Sequence, residues 1–391
     1  MLSQSENEFL TQIGPGTPAG NLLRRYWHPI CPVSELSTKT NKKRIRMLGE
    51  NLVLFRDGKG RLGLVAEQCP HRRASLFYGF VEDDGLRCAY HGWKFDTSGQ
   101  CIEQPFEPAN SPLTKETCQP AYVVQQLSGM FWGYLGPQPA PLLPRWEPLV
   151  SKAGPRRIFV LPQLDCNWLQ CMENSVDTTH TYYLHGHMMV MQGKADQAAY
   201  YYRPIKDYDF EVCKEDTWAG VRKIRTYGGD KAEKELGHPL LFPCILLSPQ
   251  REHLVMHYRV PVDDTHTQIY RIEFTPGGDT TGMDWDNPKV DYSRALKDED
   301  GEFLLDSFSS QDAMAWETQG PVVDRSMESL GTSDRGLVLY RRMLQEQIAA
   351  VQQGKEPLGV VRDPKKNEMI VIKVSEGQAR MARKGMTSAA E

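Results

Sequence analysis

Two short segments, CPH at 69–71 and CAYH at 88–91, present Cys69, His71, Cys88 and His91 across 16 intervening residues. Thiolates and imidazoles are ligands of zinc and of iron, so a metal is the first reading. Zinc sites usually space paired ligands by two or more residues, and the first pair here is spaced by one. Cys-x-His joined to Cys-x2-His suits a [2Fe–2S] unit better. Two thiolates would hold one iron and two neutral imidazoles the other, at a potential of roughly -150 to +300 mV. Such a centre delivers one electron at a time, and its imidazoles let a proton move with it.

A second constellation lies downstream, where ENSVDTTHTYYLH sets Asp177, His180 and His185 as D-x2-H-x4-H. On a regular helix Asp177 and His180 share a face, while His185 falls about 140° round. Both imidazoles can meet one metal only if the helix distorts or ends between them, and Gly186 is expected to mark an end. The plain alternative is two packing histidines near a helix terminus. A one-electron donor upstream favours an iron held by two His and one carboxylate, with positions left open for dioxygen. The third ligand is expected at Asp312 in SSQDAMAWETQGP, with Glu317 as the rival and a solvated helix-start acid as the alternative. His187 is expected to stand beside the site or face solvent, and Cys101 and Cys118 to be buried thiols without redox duty. Arg203, Arg222, Lys223 and Arg225 lie in a pocket-forming stretch and are candidate partners for a substrate carboxylate. Charges at alternate strand positions equally describe a solvated face.

These groups must be positioned by two domains, the prior for 391 residues. RIRMLGENLVLFR at 44–56 reads as a hairpin about a Gly-Glu-Asn turn, and strands follow at 63–67 and 121–126. The Pro-rich PQPAPLLP ending at Pro144 is the linker candidate, which divides the chain into 1–150 and 151–391. Beyond it, CNWLQCMENSVDTTHTYYLHG reads as one helix ending near Gly186. Strands are expected at 208–226, 242–248, 252–260 and 267–274, forming an antiparallel sheet. An amphipathic helix from Ser333 or Asp334 to about Gln353, with Leu337, Leu344, Ile348 and Val351 on its apolar face and Gly354 after it, should pack on that sheet. Residues 376–391 read as a frayed tail.

Apolar residues make up 40% of the chain and charged residues 25%, as in a globular protein, and a net charge of -4 offers no field for nucleic acid or an anionic membrane. No secretory signal and no apolar run of about 18 residues is present, so a cytoplasmic protein is expected. Reducing conditions there make the nine cysteines thiols or metal ligands.

With both motifs in view, the chain resembles the Rieske non-haem iron oxygenases, in the phthalate dioxygenase-like branch that includes aromatic O-demethylases. The likeness runs from GPGTPAGNLLRRYWHPI at 14–30, through the metal motifs, to QDAMAWETQGPVVDRSMESLGTSDRGLVLYRRML ending at Leu344. It implies an α+β chain with an N-terminal Rieske [2Fe–2S] β domain and a C-terminal helix-grip domain. Cys69, His71, Cys88 and His91 match the cluster ligands, and His180, His185 and Asp312 match those of a mononuclear Fe(II). Asp177 matches an acid that joins one subunit's cluster to the next subunit's iron, and Asn174 sits where a supporting polar residue is usual. The resemblance further implies a head-to-tail homotrimer, which can stack as a hexamer. Electrons would come from an NADH-dependent reductase, directly or through a ferredoxin. The expected reaction uses O2 to O-demethylate a methoxylated, lignin-derived aromatic acid with formaldehyde release; hydroxylation or cis-dihydroxylation of a phthalate-like aromatic is the alternative. A non-catalytic Rieske electron carrier is the rival from another class. The roughly 240 residues after the cluster domain and the lack of an extra cysteine pair in the cluster loops oppose it.

Overall fold

The computed structural model describes residues 2–37, 41–108, 111–198, 201–215, 217–228, 233–250 and 252–374; the expected tail at 376–391 lies outside them. Ten strands fill the N-terminal part: β1 (His28–Pro32), β2 (Lys42–Met47), β3 (Glu50–Arg56), β4 (Leu62–Ala66), β5 (Phe80–Glu82), β6 (Gly85–Arg87), β7 (Lys94–Phe95), β8 (Cys101–Glu103), β9 (Ala121–Leu127) and β10 (Met130–Tyr134). They form a six-stranded sheet, β1-β10-β9-β4-β3-β2, and a four-stranded sheet, β5-β6-β7-β8. The hairpin of β2 and β3 turns at Leu48-Gly49, one residue before the expected Gly-Glu-Asn, because Met47 already pairs with Glu50. Both turn residues have positive φ, 50° and 77°, the backbone that suits a two-residue hairpin's twist. Their amides donate to Pro261 and Val262 carbonyls, which fastens this hairpin to the second half of the chain.

Eight strands follow: β11 (Arg156–Val160), β12 (Ile205–Lys214), β13 (Ala219–Tyr227), β14 (Glu233–Leu241), β15 (Ile245–Gln250), β16 (His253–Asp263), β17 (His266–Phe274) and β18 (Lys289–Tyr292). Their order is β12-β13-β14-β15-β16-β17-β11-β18, antiparallel except where β11 meets β18. The single strand expected at 208–226 is a hairpin of β12 and β13, and β14 has no counterpart among the expected strands. Its sequence, EKELGHPLL, lacks a period-2 apolar pattern and contains Gly and Pro. The helix Arg335–Gln352 lies where expected and buries Leu344, Ile348 and Val351, with Gly354 at φ +74 just past its end. It packs on β13 and also on the helices Pro18–Leu23 and Trp168–Val176.

PQPAPLLP is not a free linker. Leu142 N donates to Val361 O at 2.9 Å, Trp27 Nε1 donates to Pro141 O at 3.0 Å, and Leu143 is buried. One apolar core runs through both halves, with Trp132 of β10 edge-on to Tyr258 of β16 at 5.0 Å.

The helix Trp168–Val176 is tied down at both ends. Asn167 caps it by accepting from Leu169 N, and its amide donates to Thr11 and Asp264 carbonyls. Near the other end Glu173 accepts two hydrogen bonds from Arg325, at 2.9 and 2.7 Å, and one from Arg341 at 2.6 Å, all buried. Replacing Glu173 by Ala leaves the buried Arg325 without a carboxylate, while Arg341 keeps Glu328 at 2.7 Å. A stability loss of about 3 kcal/mol, the low end for a broken buried pair, is therefore expected in urea unfolding. A loss under about 1 kcal/mol would mean that Arg325 is held well enough by Asn7 and water without a carboxylate.

Candidate metal centres

The loops between β4 and β5 and between β6 and β7 carry the four Cys and His residues, and they fold alike. Arg73 N donates to Cys69 O, and Gly92 N donates to Cys88 O, closing each loop at the fourth residue after its cysteine. That fourth residue is left-handed in both, at φ 63 and 74. At Gly92 a Cβ would stand 3.0 Å from Pro105 Cγ. Cys69 and Cys88 are buried, at 1% and 3% exposure. The imidazoles lie further out, with ring centroids 4.6 Å apart and His71 stacked on Trp93 at 4.4 Å. Burial, with Cys88 alongside, pushes the Cys69 thiol up to about 12. Burial and the neighbouring His71 and Arg72 hold His91 below its ordinary value, in the neutral form a metal needs. An inner thiol pair and an outer imidazole pair are the polarity of a centre with unlike irons.

The second constellation departs from the single helix expected at 166–186. The helix Trp168–Val176 stops at Asp177, whose backbone is extended at ψ 134, and a π-helical turn then spans Thr181–His187. Bonds from i to i+5 widen the turn and reduce the 140° offset, so the His180 and His185 ring centroids come within 5.4 Å of each other. Gly186 marks no end, because the chain continues through the helix Met188–Met191. Its role is close approach: a Cβ there would meet Tyr202 N at 2.7 Å.

Donor atoms of His180, His185 and Asp312 lie within 4.8 Å of one another, so the three could hold a metal ion. His185 Nε2 is 3.3 Å from Asp312 Oδ1. Two donors each about 2.1 Å from one ion, at an angle between right and tetrahedral, stand roughly 3.0–3.4 Å apart. Asp312 Oδ1 is buried without a hydrogen-bond partner, as expected of an atom made for a cation. Burial would raise the Asp312 carboxyl, but His185, His180 and Arg259 hold it below the usual range. The His185 ring is set by Gln311, whose Oε1 takes the Nδ1–H at 2.8 Å while its amide donates to Leu305 O at 2.9 Å. That leaves Nε2 as the free lone pair. Glu317 is removed from the contest by Lys297, 2.6 Å away.

Asp177 Oδ2 is 3.3 Å from His180 Nδ1, and Asp177 Oδ1 accepts from the Thr179 amide and hydroxyl. Burial works against its charge, yet His180 and Thr179 keep the carboxyl well below the usual range. Asn174, Asp177 and His180 line a 240 Å³ hollow together with Glu328 and Asp334. His187 turns to Tyr202 OH at 3.2 Å and takes no part in the ligand set. Cys101 is buried as expected, whereas Cys118 is exposed, a correction; it follows the short helix Pro112–Glu116 near the surface.

On the other side of His180 a 120 Å³ cavity opens between the ligand set and the sheet. Lys223 and Arg225 line it, as expected of two of the four candidate cations, and Lys223 Nζ donates to Asp177 O at 3.1 Å. The other two are corrections. Arg222, one residue before Lys223 on β13, points to the opposite face toward Glu211 at 4.0 Å, and Arg203 lies over the Tyr227 ring at 3.7 Å. Sequence reasoning missed His238, His257, Arg259, Arg271 and Gln311. For the strand residues the signal available was that the polar side chains share one parity of a mostly apolar strand, as do His253, His257 and Arg259 in HLVMHYRVPV at 253–262; Gln311, on the helix Phe308–Glu317, had none.

A Rieske [2Fe–2S] domain model matches residues 26–123, and a LigXa C-terminal domain-like model matches 286–376. The chain is 37% identical to the 5,5'-dehydrodivanillate O-demethylase oxygenase subunit of a Sphingobium species, over 99% of this chain and 90% of that one. It is 34% identical to the phthalate 4,5-dioxygenase oxygenase subunit of Pseudomonas putida, over 92% and 89%. The fold is that of solved structures at far lower identity. For the carbazole 1,9a-dioxygenase oxygenase in its reduced complex with ferredoxin, identity is 18%, coverage 87% and 93%, and TM-score 0.61. For Pseudomonas putida CBB5 NdmA with caffeine, identity is 20%, coverage 85% and 93%, and TM-score 0.61.

The chain therefore belongs to the Rieske non-haem iron oxygenases, as the oxygenase component, with a [2Fe–2S] Rieske cluster and a mononuclear iron as its cofactors. The match extends through the catalytic half, which sets aside the electron-carrier alternative. Among the described residues no helix is long and apolar enough to cross a membrane.

Proposed function

We propose that this subunit O-demethylates a methoxylated aromatic acid of lignin type with release of formaldehyde. The observation that carries the reading is the cation-lined cavity that opens directly on His180, His185 and Asp312. The O-demethylase relative at 37% identity supports it. In this reading residues 1–150 carry the cluster on Cys69, His71, Cys88 and His91, and residues 151–391 hold Fe(II) through His180, His185 and Asp312. When bound, the iron supplies dioxygen activation. The chain's residues hold the substrate anion, keep bulk water from the reacting carbon and orient the methyl group. One oxygen atom enters the methyl C–H bond, two electrons and two protons take the other to water, and the resulting hemiacetal collapses to phenol and formaldehyde.

Electrons come from NADH through a separate reductase, directly or by way of a ferredoxin. The working unit is a head-to-tail trimer, alone or stacked as a hexamer, in the cytoplasm. Asp177 and Asp334 at the hollow are complementary to Arg72 and Arg73 beside the exposed His71, which favours this arrangement, while Glu328 there is already paired with Arg341. The second reading, hydroxylation or cis-dihydroxylation of a phthalate-like ring, draws on the phthalate 4,5-dioxygenase relative. Mass analysis of products from dithionite-reduced, iron-loaded protein, oxygen and a panel of methoxybenzoates separates the two. Equal yields of formaldehyde and phenol are expected. A diol or ring-hydroxylated product would replace the first reading with the second, and an absence of oxygen uptake with every aromatic acid would sink both.

A further inference from the structure

Among the described residues, the sheet face above the cavity holds two guanidiniums that form no ion pair with a carboxylate, although Arg259 also lies over the Trp316 ring at 5.3 Å. In the register of β16 and β17, His257 pairs with Arg271 and Arg259 pairs with Ile269. Arg259 and Arg271 are therefore diagonal neighbours on one face, a spacing that long side chains span. Both line the cavity alongside His185 and Asp312. Arg259 is 3% exposed; its Nη1 reaches only the Met172 sulfur at 3.7 Å, and its Nε is buried without a partner. Arg271 donates from Nη2 to Ser309 Oγ at 2.6 Å, and its Nε is also buried without a partner.

The Trp316 ring and the Ser309 hydroxyl account for this pair only in part. Two like charges taken out of water side by side oppose stability, and an aliphatic side chain would fill the space at lower cost. Burial pushes Arg271 down to about 10 and lowers Arg259 as well. The nearby carboxylate common to both, Asp312, belongs to the ligand set. His257, held neutral by burial and the two arginines, sits beside them as an uncharged donor or acceptor. Two guanidinium forks that border one cavity as diagonal neighbours fit the two oxygens of one carboxylate. The cavity's 120 Å³ is of the size that holds one aromatic ring, since an engineered void of about 150 Å³ takes benzene.

We propose that Arg259 and Arg271 form a carboxylate clamp that selects single-ring aromatic acids and aims the ring's far edge at the ligand set. The clamp rests on the oxygenase reading of this cavity. An acid satisfies both cations; an ester or amide of the same shape leaves them unpaired.

The test is anaerobic titration calorimetry on iron-loaded protein with 3-methoxybenzoate and its methyl ester. The acid is expected to bind at least about tenfold tighter than the ester. Arg259→Gln and Arg271→Gln should each weaken the acid about 10- to 100-fold while leaving the ester within about threefold. The double variant should lose less than the product of the two, because one carboxylate serves both. Ligand-free thermal midpoints should hold or rise, as relief of buried repulsion requires, whereas a structural role would lower them. Should a Gln variant not accumulate, the Lys variant, which keeps charge but loses the fork, should recover only part of the acid's affinity. Equal losses for acid and ester, or a wild type that does not prefer the acid, overturn the clamp. Biphenyl-3,3'-dicarboxylate binding as tightly as 3-methoxybenzoate overturns its size selection. Formaldehyde assays on the same samples keep the two ideas apart. Charge-selective binding without formaldehyde retains the clamp and sinks the demethylase; formaldehyde release from the acid by the Arg variants at wild-type rate and affinity does the reverse.

Discussion

Asp312→Ala is expected to abolish turnover, to below about 1% of wild type, while the visible spectrum of the Rieske cluster stays unchanged. The loss should exceed the 10- to 100-fold typical of removing a group that only supports a ligand. Asp312 Oδ1 stands 3.3 Å from His185 Nε2, a ligand-to-ligand spacing, and has no hydrogen bond that would hold it there for another purpose. Taking away the carboxylate leaves two imidazoles and no negative charge to offset the metal. Iron per chain, measured after desalting, should fall from three toward two, in line with a two-iron cluster plus one mononuclear site. Glu317→Gln is the matched control: it breaks the Lys297 pair at 2.6 Å but leaves the ligand set intact, so iron content should hold. Full iron and activity in Asp312→Ala would move the third ligand elsewhere.

The cluster motif was legible because each loop carries its Cys and His two or three residues apart, and local spacing survives any tertiary arrangement. His180 and His185 were legible as a pair but not as a geometry. The π-helical turn that aligns them depends on Gly186 lying against the backbone of Tyr201 and Tyr202, a contact made through packing rather than pattern. Arg259 and Arg271 escaped for a related reason. Their common parity within each strand was visible, but only the pairing register and the packed helix reveal that Arg259 and Arg271 share one face and border the same cavity as Asp312. Gln311 was overlooked beside the more conspicuous Asp312, although its orientation is fixed by Leu305 O and it fixes His185 in turn.

Asp177→Asn is expected to load both metals and still fail at passing electrons between them. The carboxylate faces two ways. Toward its own chain, Oδ2 lies 3.3 Å from His180 Nδ1, and Oδ1 is held by the Thr179 amide at 2.6 Å and hydroxyl at 3.0 Å. Toward the outside it borders the 240 Å³ hollow, where a head-to-tail trimer would seat His91 of the partner subunit. A carboxylate can accept from both imidazoles at once and form a short polar path, whereas the amide of Asn offers one acceptor and an N–H pair that faces a donor. Thr179 can still anchor the amide oxygen, so the turn before the π-helical segment should persist and His180 should keep its position. Iron content and dithionite reduction of the cluster should therefore match wild type. Cluster reoxidation in a single turnover, followed optically after mixing reduced, substrate-bound protein with oxygen, should slow by at least about 10- to 100-fold. Wild-type reoxidation in a fully loaded trimer of the variant would reduce Asp177 to a support for His180. Slow reoxidation with normal iron content would place the path between the two centres through this carboxylate.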